Sequence, residues 1–100
     1  MKNRSLYTVR SKKRERHPNI IVDANITKFK SVNLTHSKGK KGHWNIPLKN
    51  NPNKSDSKKA YVKKDIKSDY KFNYSKAFKN YELSEEDIKL LKNFLNKKRK

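Results

Sequence analysis

Apolar residues in this chain fall into short islands separated by long polar stretches. Ile20-Ile21-Val22 is a β-branched run behind Pro18. So short an apolar run suits a buried strand better than a helix, and proline at a strand entrance forfeits no ladder bond. Asp23-Ala24-Asn25 supplies turn chemistry, and residues 29–34 follow with Val32 and Leu34 on one face of an alternating strand. The two runs predict a hairpin. Leu6, Tyr7 and Val9 predict an edge strand ahead of it. Trp44-Asn45-Ile46-Pro47-Leu48 predicts a third strand, at an edge or bulged because of Pro47, and Ala60-Tyr61-Val62 with Ile66 predicts a fourth. Residues 35–42 and 49–59 read as polar loops. Residues 67–79 resist assignment: Tyr70, Phe72 and Tyr74 alternate as in a strand, while Tyr74 and Phe78 have helical spacing.

The last island predicts a helix over residues 84–96. Ser84 is a strong N-cap, and Asp87 stands at the third helical position, as in a capping box. Leu83 and Ile88 have the spacing of a hydrophobic staple. Glu85, Glu86 and Asp87 put negative charge at the positive end of the helix dipole. Ile88, Leu91 and Leu95 share a face with Leu90 and Phe94 beside it, so the helix should lie against a sheet. The fold class expected is α+β, mainly β: a small barrel or curved antiparallel sheet with a C-terminal α-helix. Residues 1–16 form a basic arm or edge strand, residues 17–96 the single domain, and residues 97–100 a basic tail.

Charge changes the picture most. The chain of 100 residues carries 28 Lys and Arg against 9 Asp and Glu, a formal +19. Such an excess repels itself in a compact fold, and a polyanion offsets it because each neutralised phosphate releases a counterion. RNA or DNA is therefore the expected partner, rather than a face merely kept solvated. Without cysteine there is no disulfide, thiolate metal site or Cys nucleophile. No apolar run reaches the ~18–20 residues of a membrane span or resembles a signal peptide, so a cytoplasmic location with no membrane partner is expected.

Two short motifs carry candidate chemistry. Arg16-His17-Pro18 joins a permanent cation to a group that titrates near neutrality. At a scissile phosphate the guanidinium would stabilise developing charge and the imidazole would move a proton. The plainer reading is the end of a basic run followed by an exposed histidine. Leu34-Thr35-His36-Ser37 sets two hydroxyls and an imidazole at a strand end, where scaffolds commonly present polar groups to ligands; ordinary turn residues are the alternative. Lys12, Lys13 and Arg14 in the arm, and Lys38, Lys40 and Lys41 in the loop, are candidate phosphate contacts, with Ser37 holding phosphate oxygens. Trp44 beside that loop is a candidate base-stacking ring. Tyr61, Tyr70, Phe72, Tyr74 and Tyr81 also stand among lysines, but most of these are expected to complete a small core. No metal site is expected, since His36 and His43 flank a basic loop with no carboxylate in it, and no cofactor is called for.

The order of these elements resembles the PemK/MazF-like toxins of bacterial toxin–antitoxin systems. A basic residue and Pro18 introduce an apolar strand. Leu34-Thr35-His36-Ser37 is similar to a strand ending in a Thr-Ser element, and Asn45-Ile46-Pro47-Leu48 to a strand ending in Pro-Leu. Tyr81-Glu82-Leu83-Ser84-Glu85-Glu86-Asp87-Ile88 resembles the family's entry into its C-terminal helix. Here His17 separates Arg16 from Pro18, where the family has Arg directly before Pro. The resemblance covers about residues 16–96 and implies an SH3-like barrel and metal-independent cleavage of single-stranded RNA. Arg16 and Thr35 match the family's catalytic pair, and His17 or His36 would supply the base. It further implies an acidic antitoxin partner and a homodimer. The rival expectation is a non-catalytic basic nucleic-acid-binding protein of a phage, plasmid or other mobile element. A third is an adaptor whose basic surface meets an acidic protein.

Overall fold

The computed structural model of the chain describes residues 5–98. Its framework is antiparallel throughout. β1 (Val9–Ser11), β2 (Pro18–Ala24) and β3 (Lys28–Thr35) lie side by side. Next come β4 (Gly39–Lys40) with β5 (His43–Trp44), a separate two-stranded arm, then β6 (Ile46–Pro47), β7 (Tyr61–Val62) and β8 (Lys67–Tyr70). A 3-10 turn, Lys71–Asn73, follows β8, and α1 (Glu85–Lys98) ends the described chain. The sheet order is β1-β2-β3-β7-β6, and the path is open, with β1 and β6 at its ends. The edge of β3 away from β2 is shared: β8 pairs with Lys28 to Ser31 and β7 with Leu34 and Thr35. The molecule is thus a small α+β fold, mainly antiparallel sheet, with one C-terminal helix. No helix among the described residues is long and apolar enough to cross a membrane.

The unbroken run Ile20-Ile21-Val22 serves two cores at once. Ile20 and Val22 join Val32, Leu34, Leu48 and Val62 under Leu91 and Leu95 of α1. Ile21 points the other way, to Phe29 and Tyr74. A strand buried on both faces needs no polar alternation. A bulge at Val22 lets Ile21 pair with Ser31 and Asp23 with Lys30. In the turn that closes the hairpin, the Asn25 side-chain oxygen accepts from the amides of Thr27 and Lys28 at 3.0 and 2.7 Å. Among the described residues of the N-terminal segment the strand is Val9, Arg10 and Ser11; Leu6 packs against the Ile21 cluster instead.

The helix begins as its cap requires: the Asp87 amide donates to Ser84 Oγ at 3.2 Å. Leu83 is buried in the main core with Ile88 packed against it. The expected capping box departs in one respect. The Asp87 carboxylate is fully buried and accepts from the backbone amides of Lys49 and Asn50, at 2.8 and 3.0 Å. It ties the loop after β6 to the helix. Helix α1 runs on through Lys98, so two residues assigned to a basic tail belong to it; Arg99 and Lys100 lie outside the described residues.

Two polar segments are more ordered than their composition suggests. Residues 35–42, read as a loop, contain one strand of the β4–β5 arm. Gly39 has a φ of +95°, and a Cβ there would meet the His43 carbonyl, so the arm requires glycine at this point. The unassigned residues 67–79 supply β8 and the 3-10 turn. Tyr74 then turns inward, its hydroxyl 2.9 Å from buried Ser31 Oγ.

Candidate functional site

The end of β3 opens onto a cleft of about 540 Å³. That volume is in the usual range for ligand sites. The β2–β3 pairing ends at Asn19 and Asn33, and His17 and Thr35 follow just beyond it, both on the lining of the cleft. His17, Thr35, His36 and Ser37 line the cleft together with Asn51, Asn53, Asp56 and Tyr81. Of the four candidate catalytic residues, His17, Thr35 and His36 are therefore brought together. Arg16 is exposed beside them and is not among the lining residues. Both residues lie in the irregular segment that leads into β2, and of the two only His17 reaches the cleft.

The sharpest geometry in the cleft involves a residue the sequence did not single out. His36 Nε2 lies 2.6 Å from Asp56 Oδ2. Asp56 is held below the usual aspartate value, first by the Lys58 amide that donates to its other oxygen at 2.9 Å, then by His36. An ionised carboxylate only accepts, so Nε2 is the donor and a neutral ring keeps its lone pair on Nδ1. The two hydroxyls are also committed. Thr35 Oγ1 accepts from the Ser37 amide at 3.2 Å, and Ser37 Oγ accepts from the Gly39 amide at 3.1 Å. Each oxygen is thereby oriented with its own O–H left to donate.

Asp56 reaches His36 because residues 49–59 brace themselves. Asn51 Oδ1 accepts from the Asn53 amide at 2.9 Å, and Asn53 Oδ1 from the Ser55 amide at 3.0 Å. With the Asp56–Lys58 bond these make three successive side-chain turns. Outside bonds pin the loop: the Glu82 backbone amide donates to the Pro52 carbonyl, Asn53 Nδ2 to the Tyr81 hydroxyl at 3.2 Å, and Asp87 grips its start. The spacing of Asn51, Asn53 and Asp56 was the available signal. The carboxylate missing from the histidine loop in sequence is supplied in space by Asp56. Among the described residues no three His, Cys, Asp or Glu side chains gather to hold a metal.

The candidate phosphate contacts divide. Lys38, Lys40, Lys41 and Trp44 are exposed on or beside the β4–β5 arm, next to the cleft, with Lys38 Nζ 5.8 Å from the Trp44 ring centre. That arm is fastened by the Asn45 side chain, which donates to the Ser37 carbonyl at 2.9 Å. Lys12, by contrast, is structural: its ammonium lies 3.3 Å from Asp69 and 5.9 Å from the Tyr74 ring centre. Lys13 and Arg14 are exposed and line a separate cleft with Asp69 and Asn73. No family model, curated protein or solved structure matches the chain.

Proposed function

We propose that the cleft at the end of β3 binds single-stranded RNA and cuts it without a metal, the activity of a divergent PemK/MazF-like toxin. The observation that carries this reading is the His36–Asp56 pair in a cleft that also holds His17, Thr35 and Ser37. His36 Nδ1 removes the proton from an RNA 2′-OH. The freed oxygen attacks the adjacent phosphorus, the bond from phosphorus to the 5′ oxygen breaks, and protonated His17 gives its proton to that oxygen. The products are a 2′,3′-cyclic phosphate and a 5′-OH. Thr35 and Ser37 donate hydrogen bonds to the non-bridging oxygens as charge builds there. Lys38, Lys40 and Lys41 hold the strand at the cleft mouth, and Arg16 contributes from outside the cleft by its field. An acidic antitoxin would neutralise the same basic mouth, and the SH3-like barrel and homodimer of the family belong to this proposal.

Purified protein in chelator should cleave single-stranded RNA to cyclic-phosphate ends. His36→Ala should abolish the cleavage and Arg16→Ala should only weaken it. A wild-type protein that binds RNA without cutting it, or a His36→Ala variant that cuts equally, overturns the mechanism. One observation favours the non-catalytic alternative: among the described residues lining the cleft there is no lysine or arginine to meet the transition-state charge. Under that reading the same assay gives salt-dependent binding and intact RNA.

A further inference from the structure

The other end of β3 carries an exposed aromatic surface that the cleft does not use. Tyr70 closes β8 opposite Lys28, and Phe72 follows in the 3-10 turn. Their rings are stacked, with centres 5.4 Å apart and planes within 9°. Rings that complete a core are buried, as Tyr74 is; Tyr70 is 46% exposed and Phe72 68%. The Lys71 amide donates to the Thr27 carbonyl, which seats the β2–β3 turn alongside, and that turn carries Ile26 at 94% exposed. Large apolar groups grouped in the open mark an interaction site rather than chance exposure.

Lysines flank this surface, with the carboxylate residue Asp23 paired across from Lys30 on β2. Lys28 Nζ lies 4.9 Å from the Tyr70 ring centre. Strand alternation puts Lys28, Lys30, Ser68 and Tyr70 on one face, and α1 covers that face only over Val32 and Leu34. Asp69, the acidic residue of β8, falls on the opposite face and is engaged by Lys12 and Asn73. A second copy of a +19 chain would bring like charge against these lysines. A polyanion that also offers flat rings matches both features, because a base extends an existing stack while its phosphates meet the lysines.

We propose that Tyr70 and Phe72, with Lys28 and Lys30, form a second contact for single-stranded RNA, stacking unpaired bases about 23 Å along β3 from the cleft, at ~3.3 Å per residue. This contact does not depend on whether the cleft cuts. One RNA strand long enough to run along the molecule engages both ends, and a short one engages the cleft alone.

The probe is 2′-O-methyl oligouridylate, which lacks the attacking hydroxyl and so reports binding without cleavage. Fluorescence anisotropy is read for a short oligomer and for one long enough to reach both ends. Tyr70→Ala with Phe72→Ala should weaken the long oligomer by at least about fivefold per ring. The salt dependence and the short-oligomer affinity should not change. Tyr70→Phe with Phe72→Tyr should restore tight binding. Unchanged long-oligomer affinity overturns the proposal, and so does equal weakening of both lengths. It is also overturned if the alanine variants keep RNA affinity but lose binding to phosphatidylserine vesicles, or lose self-association. The cleavage assay on His36→Ala fails or succeeds independently of these readings.

Discussion

At the Lys28 end of β3, β8 adds four consecutive cross-strand pairs, whereas at the Thr35 end β7 adds only two. Beyond those two pairs a few scattered backbone bonds, such as that from the Glu82 amide to the Pro52 carbonyl, are supplemented by side chains bonding to backbone: the turns at Asn51, Asn53 and Asp56, and the grip of Asp87 on residues 49 and 50. A ladder spreads its energy over many similar bonds, so a single substitution on its exposed face leaves the frame standing. A braced loop concentrates its energy in a few carboxylates and amides, each of which leaves partners unpaired when removed. The cleft end should therefore be sensitive to single changes, and the aromatic end robust to them.

The largest expected effect is at the cleft. Asp56→Asn should lower the proposed RNA cleavage by about 10²–10⁴-fold, the range for loss of a positioned acid–base group, while the proposed long-oligomer binding at Tyr70 and Phe72 persists. If both fall together, the two ends are not independent. Asp87→Ala comes next. It strips a fully buried acceptor from the Lys49 and Asn50 amides, at about 1–3 kcal/mol for each amide left unpaired. Denaturant unfolding should show that loss. In native-state hydrogen exchange the amides of residues 49–59 should lose protection before those of β8.

Acid should act at both ends, through different carboxylates. Asp56 sits below the usual aspartate range because of the Lys58 amide and His36. Asp69 does so because of the Asn73 side chain, then the Tyr70 amide and Lys12. A carboxylate whose value is depressed by folding stabilises the fold above its unfolded value and loses that contribution as pH falls through its folded value. The melting temperature should thus drop as pH falls below about 4, the unfolded aspartate range. Asp56→Asn and Asp69→Asn should each flatten that drop. Equal slopes in wild type and both variants would remove this part of the comparison.

The smallest effect separates working from structural lysines. Lys38→Gln should reduce the salt dependence of RNA binding by about 0.7 in log–log slope, the share of one phosphate contact on a single strand. Lys12→Gln should leave the slope alone, because Lys12 is already paired with Asp69. A matching slope change in both would place Lys12 at the RNA after all.

Local rules reached far in this chain. The Ile20 to Leu34 hairpin, the Tyr61–Val62 strand and the start of α1 at Ser84 follow from β-branched runs, turn residues and a cap, whose causes lie within a few residues. The same rules stopped at β8, which has polar residues on both faces and so no period to read. They stopped also at the β4–β5 arm, where two glycines among Lys38, Lys40, Lys41 and His43 looked like any loop. Pairing with β3 orders the first, and the positive φ of Gly39 permits the second.

The amino-acid order was sufficient for the basic character, the main strands, the capped helix and the residues of the Thr35-His36-Ser37 element. It was not sufficient for the partners of those residues. Asp56 lies 20 positions from His36, and Asp87 lies 38 from Lys49. Which atoms meet across such separations depends on how a loop is pinned by the helix packed behind it. The same dependence decides which rings are buried and which stay open. Tyr70 and Tyr74 are four residues apart with similar neighbours, yet only Tyr74 finds Phe29 and Ser31 to pack against. Side-chain identity sets what a residue can do, and the cleft and the open aromatic pair exist because long-range packing chose where each one does it.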